Sequence, residues 1–246
     1  MKDFFEYKEQ INKCSKCGLC MSVCPLYELT GNDCANARGK FAMLEGVLNN
    51  KIDFDKDVKK YLDMCLKCNA CKDFCPSAID APEIISSAQE YYFKTHKRNI
   101  KDYIAKFIEG ALNKSIQNNN QKLEQILDKY QVIKFKETLN FTFHKPCRLK
   151  DLELFNSFLE KADNIQYIEM KDYDKCCGFS GQFYFNYPQL SNEIIQQKIQ
   201  NIKDTKCKYV LTMCKGCEFA INHGLKNSQD FKVMSITDFI TRFAEL

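Results

Sequence analysis

A chain of 246 residues suits one large domain or two small ones. Apolar residues make up 45% and charged residues 28%, ordinary for a globular protein, and a net charge of +4 is too weak to demand a nucleic acid partner. No apolar run reaches the length of a transmembrane helix, and the charged start MKDFFEYKEQINK has no apolar signal core, which points to the cytoplasm. Against this plain background stand fifteen cysteines. Without an export signal they indicate metal or redox chemistry rather than disulfides.

In chain order, the first of them are Cys14, Cys17, Cys20 and Cys24, in CSKCGLCMSVCP. The pattern returns as Cys65, Cys68, Cys71 and Cys75, in CLKCNACKDFCP. Both fit C-x2-C-x2-C-x3-C-P, the run that binds 4Fe–4S clusters in bacterial-type ferredoxins. Three closely spaced thiolates wrap one cubane, and the fourth, turned away by proline, ligates the other. The spacing therefore predicts one cluster on Cys14, Cys17, Cys20 and Cys75, and a second on Cys65, Cys68, Cys71 and Cys24. Structural zinc on the C-x2-C pairs is the alternative, but a tetrahedral ion gains nothing from a three-plus-one repeat with proline.

Between the two runs, ARGKFAMLEGVL and DFDKDVKKYLDM carry apolar residues at helical spacing. Arg38 and Lys40 in this stretch read either as a solvated face or as charges that raise a cluster's potential, and Cys34 reads as a small apolar residue. After the second run, Asp80 and Pro82 start a helix through EIISSAQEYYFKTHK. Residues 1–95 thus form an α-helical ferredoxin domain with two 4Fe–4S clusters. Residues 96–137 read as a helical linker, broken by the polar run NKSIQNNNQ.

From residue 138 to 246 the rhythm changes. LNFTFH, IQYIEM, KYVLTM and FKVMSI read as short buried strands, and RLKDLELFNSFLEKA, PQLSNEIIQQKIQNIK, CEFAINHGLK and the terminal ITDFITRFAEL as helices. Alternating strands and helices imply an α/β domain with a parallel sheet. Cys147 follows the first strand, Cys176 and Cys177 the second, and Cys214 and Cys217 the third. Ligand sites in open α/β sheets form beyond the carboxyl ends of strands, so these five thiols should meet at one edge as a metal site. Gly178 and Gly181 would let the loop approach it closely. His144, three residues before Cys147, either orients that site or is a hydrogen-bonded structural histidine. His96 and His223 read as surface residues, and Cys207 as a core residue.

HKPC at 144–147 and CCGFSGQFYFNYPQLSNEIIQQKIQNIKDTKCKYVLTMCKGC at 176–217 resemble the cysteine-rich CCG domain, and ARGKF and YLDMCLKCNACKDFCPSAID resemble the segments around its ferredoxin motifs. That family includes iron–sulfur subunits of glycolate oxidase, lactate utilisation complexes and anaerobic glycerol-3-phosphate dehydrogenase, and subunits of heterodisulfide reductase. The resemblance implies a third, noncubane 4Fe–4S cluster on Cys147, Cys176, Cys177, Cys214 and Cys217. It implies an electron-transfer subunit that serves a flavoprotein dehydrogenase acting on glycolate, lactate or glycerol 3-phosphate and passes electrons to a quinone or other carrier. The chain has no G-x-G-x-x-G after a strand for a flavin of its own. It carries one CCG repeat where some relatives carry two, so a second CCG-containing subunit or a homodimer is a further expected partner. Any membrane association would be peripheral, at the inner face. The other reading is a heterodisulfide or disulfide reductase subunit with catalysis at the CCG cluster; a zinc-stabilised interaction module is a third.

Overall fold

The computed structural model describes residues 3–226, 228 and 230–245. Its first helices are short, because the cysteine runs interrupt them. α1 (Lys8–Asn12) ends just before Cys14, and α2 (Leu19–Ser22) holds Cys20. α3 (Pro25–Thr30) opens on proline with Cys24 at its N-cap. A proline there gives up only an N–H that has no partner within the helix. α4 (Ala37–Leu48) is capped by the Asn36 side chain, which accepts from the Gly39 N–H at 3.1 Å. Gly39 is demanded by space, since a Cβ would stand 2.0 Å from the Asp33 carbonyl oxygen. α5 (Lys56–Asp63), capped by Asp55, leads to the second run, where α6 (Ala70–Asp73) holds Cys71. α7 (Ala81–Thr95) follows, capped by Asp80 as the sequence indicated.

The two runs share a backbone. Lys16 and Gly18 have φ of 57° and 86°; Lys67 and Asn69, at the matching places, have 52° and 66°. These left-handed turns curl each run so that its three close thiols converge. Phe4, Phe41, Leu44, Leu62 and Ile84 form the core behind them, all nearly inaccessible.

The middle differs from the sequence expectation. α8 (Ile100–Lys129) runs unbroken through NKSIQNNNQ, where a polar break was expected. Ile116 within that stretch and Leu123 just after it are buried, and the buried Asn119 donates its amide to the Met213 carbonyl at 2.9 Å. Tertiary partners here override the weak helix preference of asparagine.

Next come β1 (Ile133–His144), α9 (Glu153–Lys161), β2 (Ala162–Tyr167), α10 (Gly181–Asn186) and α11 (Pro188–Asp204). β3 (Tyr209–Thr212), α12 (Lys215–Gly224), β4 (Lys232–Ser235), α13 (Ile236–Phe243) and β5 (Ala244–Glu245) complete the order. The strands lie as β2-β1-β3-β4, all parallel. β5 pairs antiparallel with the start of β1, so the last helix ends at Phe243 instead of running out to the terminus. β1 starts earlier than the sequence pattern suggested, at Ile133, because β5 and β2 both pair with its first residues.

Alternation along β1 divides the sheet's faces. Phe141 and Phe143 enter an aromatic core with Phe155, Phe158 and Phe239. Burying each such ring contributes about 1.5–3 kcal/mol. The opposite face carries Thr142 and His144, and β3 places Val210 and Thr212 beside them.

By its contacts the chain divides into two compact units, Met1–Lys106 with Ser180–Leu190, and Phe107–Phe179 with Ser191–Leu246. Ser180–Leu190, which lies within the 138–246 region read from the sequence as one domain, makes its contacts with the first unit. The reason is polar: Asn186 donates to the Asp63 carboxylate at 2.9 Å and the Tyr187 hydroxyl to the Lys60 carbonyl at 2.6 Å. No helix among the described residues is long and apolar enough to cross a membrane.

Candidate metal centres

None of the fifteen cysteines is in a disulfide. In the first unit eight of them line two cavities. One cavity is walled by Cys14, Cys17, Cys20 and Cys75, with Arg38 and Phe41. The other is walled by Cys24, Cys65 and Cys68, with Lys40 and Ile85. Cys71 borders both. Each run thus sends its fourth cysteine to the cavity of the other run. Neither cavity has a histidine or carboxylate in its lining. An all-thiol, largely apolar set of this kind suits an iron–sulfur cluster.

The electrostatics agree with the need for a bound cation. Burial pushes the Cys71 thiol well up, and the Cys65, Cys24 and Cys20 thiols beside it add to the effect. Burial also raises Cys24 and Cys20, against backbone N–H groups that lower them. Thiols so crowded stay protonated on their own, and metal ligation is what drives off their protons. Cys17 is the exception. It is the exposed cysteine, and the Leu19 N–H and Ser15 side chain lower its thiol.

Lys40 is no solvated surface residue. It is 1% exposed, and its ammonium donates to the Cys34 carbonyl at 2.9 Å and to the Ala35 carbonyl. Burial lowers it, while Cys65, Cys24 and Cys71 pull it back up. Arg38 is half-buried and pairs with Asp33 at 3.3 Å. Cys34 is partly exposed rather than a core residue, whereas Cys207 is fully buried.

The second unit gathers the other five cysteines at the carboxyl ends of β1, β2 and β3. The Cys177 and Cys217 sulfurs are 3.5 Å apart, and Cys176 is hydrogen-bonded to both Cys147 and Cys177. Cys214 is the N-cap of α12 and Cys217 lies in its first turn. The Cys217 thiol and the N–H groups of Cys217 and Gly216 lower Cys214 to about 6. Thiols of Cys176 and Cys217 hold Cys177 down in the same way, while Cys147 and Cys217, as donors, are pushed up. Gly178, at φ 88°, is required because a Cβ would stand 2.8 Å from the Ser191 carbonyl oxygen. Gly181 opens α10 and is buried.

Two further groups stand at this site. Lys198 on α11 is 3% exposed and donates to the Asp172 carbonyl. Burial lowers it, while Cys177, Cys176, Asp172 and Cys217 pull it back up. Sequence reasoning missed it, although it shares the apolar stripe of α11 with Ile194, Ile195 and Ile202. A lysine on such a stripe is the available signal. His144 is fully buried, and neither ring nitrogen bonds a side chain. Burial first, then the Lys198 charge, hold its ring neutral. His96 and His223 are exposed, stacked on Tyr92 and Phe219.

Known proteins share both halves. Residues 10–79 match the family described as "4Fe-4S dicluster domain", and residues 141–222 match "Cysteine-rich domain". The "Probable glycolate oxidase iron-sulfur subunit" of Bacillus subtilis is 29% identical over 105 residues, 40% of this chain and 24% of that protein. "Lactate utilization protein A" of Lysinibacillus sphaericus is 30% identical over 106 residues, 40% of this chain and 46% of that one. An "Uncharacterized iron-sulfur protein" of Methanocaldococcus jannaschii is 24% identical over 97% of this chain and 49% of its own length. The chain spans about half or less of the length of these relatives. The chain thus carries a 4Fe-4S dicluster domain at residues 10–79 and, after it, a cysteine-rich domain at residues 141–222.

Proposed function

We propose that the chain is the iron–sulfur electron-transfer subunit of an oxidoreductase complex. Cys14, Cys17, Cys20 and Cys75 hold one 4Fe–4S cubane, and Cys65, Cys68, Cys71 and Cys24 hold another. Cys147, Cys176, Cys177, Cys214 and Cys217 hold a third, noncubane cluster. The observation that supports this most is the exchange of fourth cysteines between the two thiol-lined cavities. When bound, the clusters supply one-electron carriage; across such sites potentials span about −700 to +450 mV, set by charge, hydrogen bonds and burial. The chain contributes those settings: Lys40 beside the second cavity, Lys198 beside the third site, and backbone N–H groups aimed at sulfur.

A flavoprotein dehydrogenase acting on a small hydroxy acid or glycerol 3-phosphate is the electron donor, and a quinone or other carrier the acceptor. The names of the glycolate oxidase and lactate utilization relatives support that class. A second CCG-containing subunit or a second copy of this chain supplies the part that the longer relatives carry. Any membrane association is peripheral. In the test, Cys68→Ser is purified without oxygen and its iron and EPR signals are compared with the unaltered protein. Loss of one cubane signal and of electron flow, with the third centre retained, is the expected result. Unchanged iron content and signals would count against the assignment.

A second reading, a disulfide or heterodisulfide reductase with catalysis at the third centre, is favoured by one observation. Cys177 and Cys214 are both held as acidic thiols among five that meet in one place. Turnover of thiol–disulfide substrates with an artificial electron donor tests it; no turnover of any disulfide sinks it.

A further inference from the structure

His144 ends β1, opposite Thr212 of β3, and is wholly inaccessible. Neither ring nitrogen bonds a thiol or another side chain, and the one polar group that faces the ring is the Tyr173 backbone. Folded proteins seldom bury nitrogens in this way without a reason. One ring nitrogen and the sulfurs of Cys177 and Cys217 all lie within 4.8 Å of one another, and all three residues are buried. The two sulfurs are 3.5 Å apart. Three donor atoms therefore face a common point, and the nitrogen bonds to neither sulfur. Neutral imidazole and thiolate are ligands for the same metals, iron and zinc among them.

We propose that His144 is a ligand of the centre at the strand ends, one ring nitrogen binding the same metal atom as Cys177 and Cys217. The centre would then be a mixed thiolate–imidazole site rather than an all-cysteine one. The Tyr173 carbonyl takes the N–H of one ring nitrogen, which fixes the tautomer and leaves the other nitrogen to the metal. This proposal rests on the reading of the five cysteines as an iron–sulfur site.

The test is pulsed EPR on the full chain, purified without oxygen and poised over a range of potentials. One sample has natural histidine and the other has histidine labelled with nitrogen-15. The chain has three histidines, so the label is sparse. The expected result is a strong nitrogen coupling on the signal that disappears in Cys177→Ser. It changes with the label, is lost in His144→Ala and persists in His223→Ala. The labelled wild-type comparison stands even if His144→Ala fails to fold. A Cys177-dependent signal without strong histidine coupling, or with coupling that survives His144→Ala, overturns the histidine ligand and leaves the cluster reading intact. No Cys177-dependent signal at any potential overturns both.

Discussion

Gly18 and Asn69 hold the same place in the two cysteine runs, and both turn left-handed, at φ 86° and 66°. The repeat is therefore one of backbone as well as of cysteines. A Cβ on Gly18 would meet only the Met21 sulfur at 3.4 Å and the Arg38 guanidinium at 3.7 Å, so its need is for conformation, not for space. Gly18→Ala should cost about 1–2 kcal/mol. Asn69→Gly should change stability by no more than about 0.5 kcal/mol, since asparagine already tolerates this region. Thermal unfolding of the metal-loaded protein measures both, and a neutral Gly18→Ala contradicts the account of the turn.

Cys17 should be the most reactive thiol once metal is removed. It is exposed, and the Leu19 N–H stabilises its thiolate. Because its pKa is lowered, its thiolate fills in at lower pH than that of an ordinary cysteine. Its alkylation rate should rise earlier along a pH series than that of a short cysteine peptide. Mass spectrometry after brief iodoacetamide treatment reads this out, and metal-loaded protein should be protected. A rise no earlier than the peptide's would contradict it.

Lys40 and Lys198 are each more than nine-tenths buried beside thiols that must ionise to ligate. A positive charge about 7 Å from a cluster favours the reduced form by about 2 kcal/mol at an effective dielectric near 20. That corresponds to on the order of 100 mV for one electron. Lys40→Met should lower the potential of the second cubane by this order, and Lys198→Met that of the third centre. Lysine to arginine at either place should restore most of the shift. Redox titration followed by EPR decides, and unmoved potentials in both methionine variants would show the charges to be without effect.

Asn119 is the test of the middle helix. Its amide is the donor to the Met213 carbonyl, just before Cys214. Asn119→Ala leaves that carbonyl without this donor and should cost about 1–3 kcal/mol. Urea unfolding measures the loss; a change below about 0.5 kcal/mol would mean that water or another group satisfies the carbonyl.

The cysteine runs were legible because metal ligation fixes spacing along the chain, and the strands because Phe141 and Phe143 alternate with polar neighbours. The unbroken α8 was not. Asn119 looks like a loop residue until its partner, nearly a hundred residues away, is known. Neither was the loss of Ser180–Leu190 to the first unit, since Asn186 finds Asp63 only in three dimensions. Lys198 and Lys40 lie between these cases. Their helical spacing was visible, but the thiols that explain their burial come from other elements. His144 was visible as a residue near Cys147, while its burial beside Cys177 and Cys217 belongs to the folded state alone.

The most direct measurement is the iron and zinc content of protein purified without oxygen. Three four-iron clusters predict about twelve irons per chain and no zinc. About eight irons with one zinc in the second unit would contradict the central claim. The chain would then be a two-cubane carrier joined to a structural zinc domain, and the disulfide-reductase reading would fall with the third cluster.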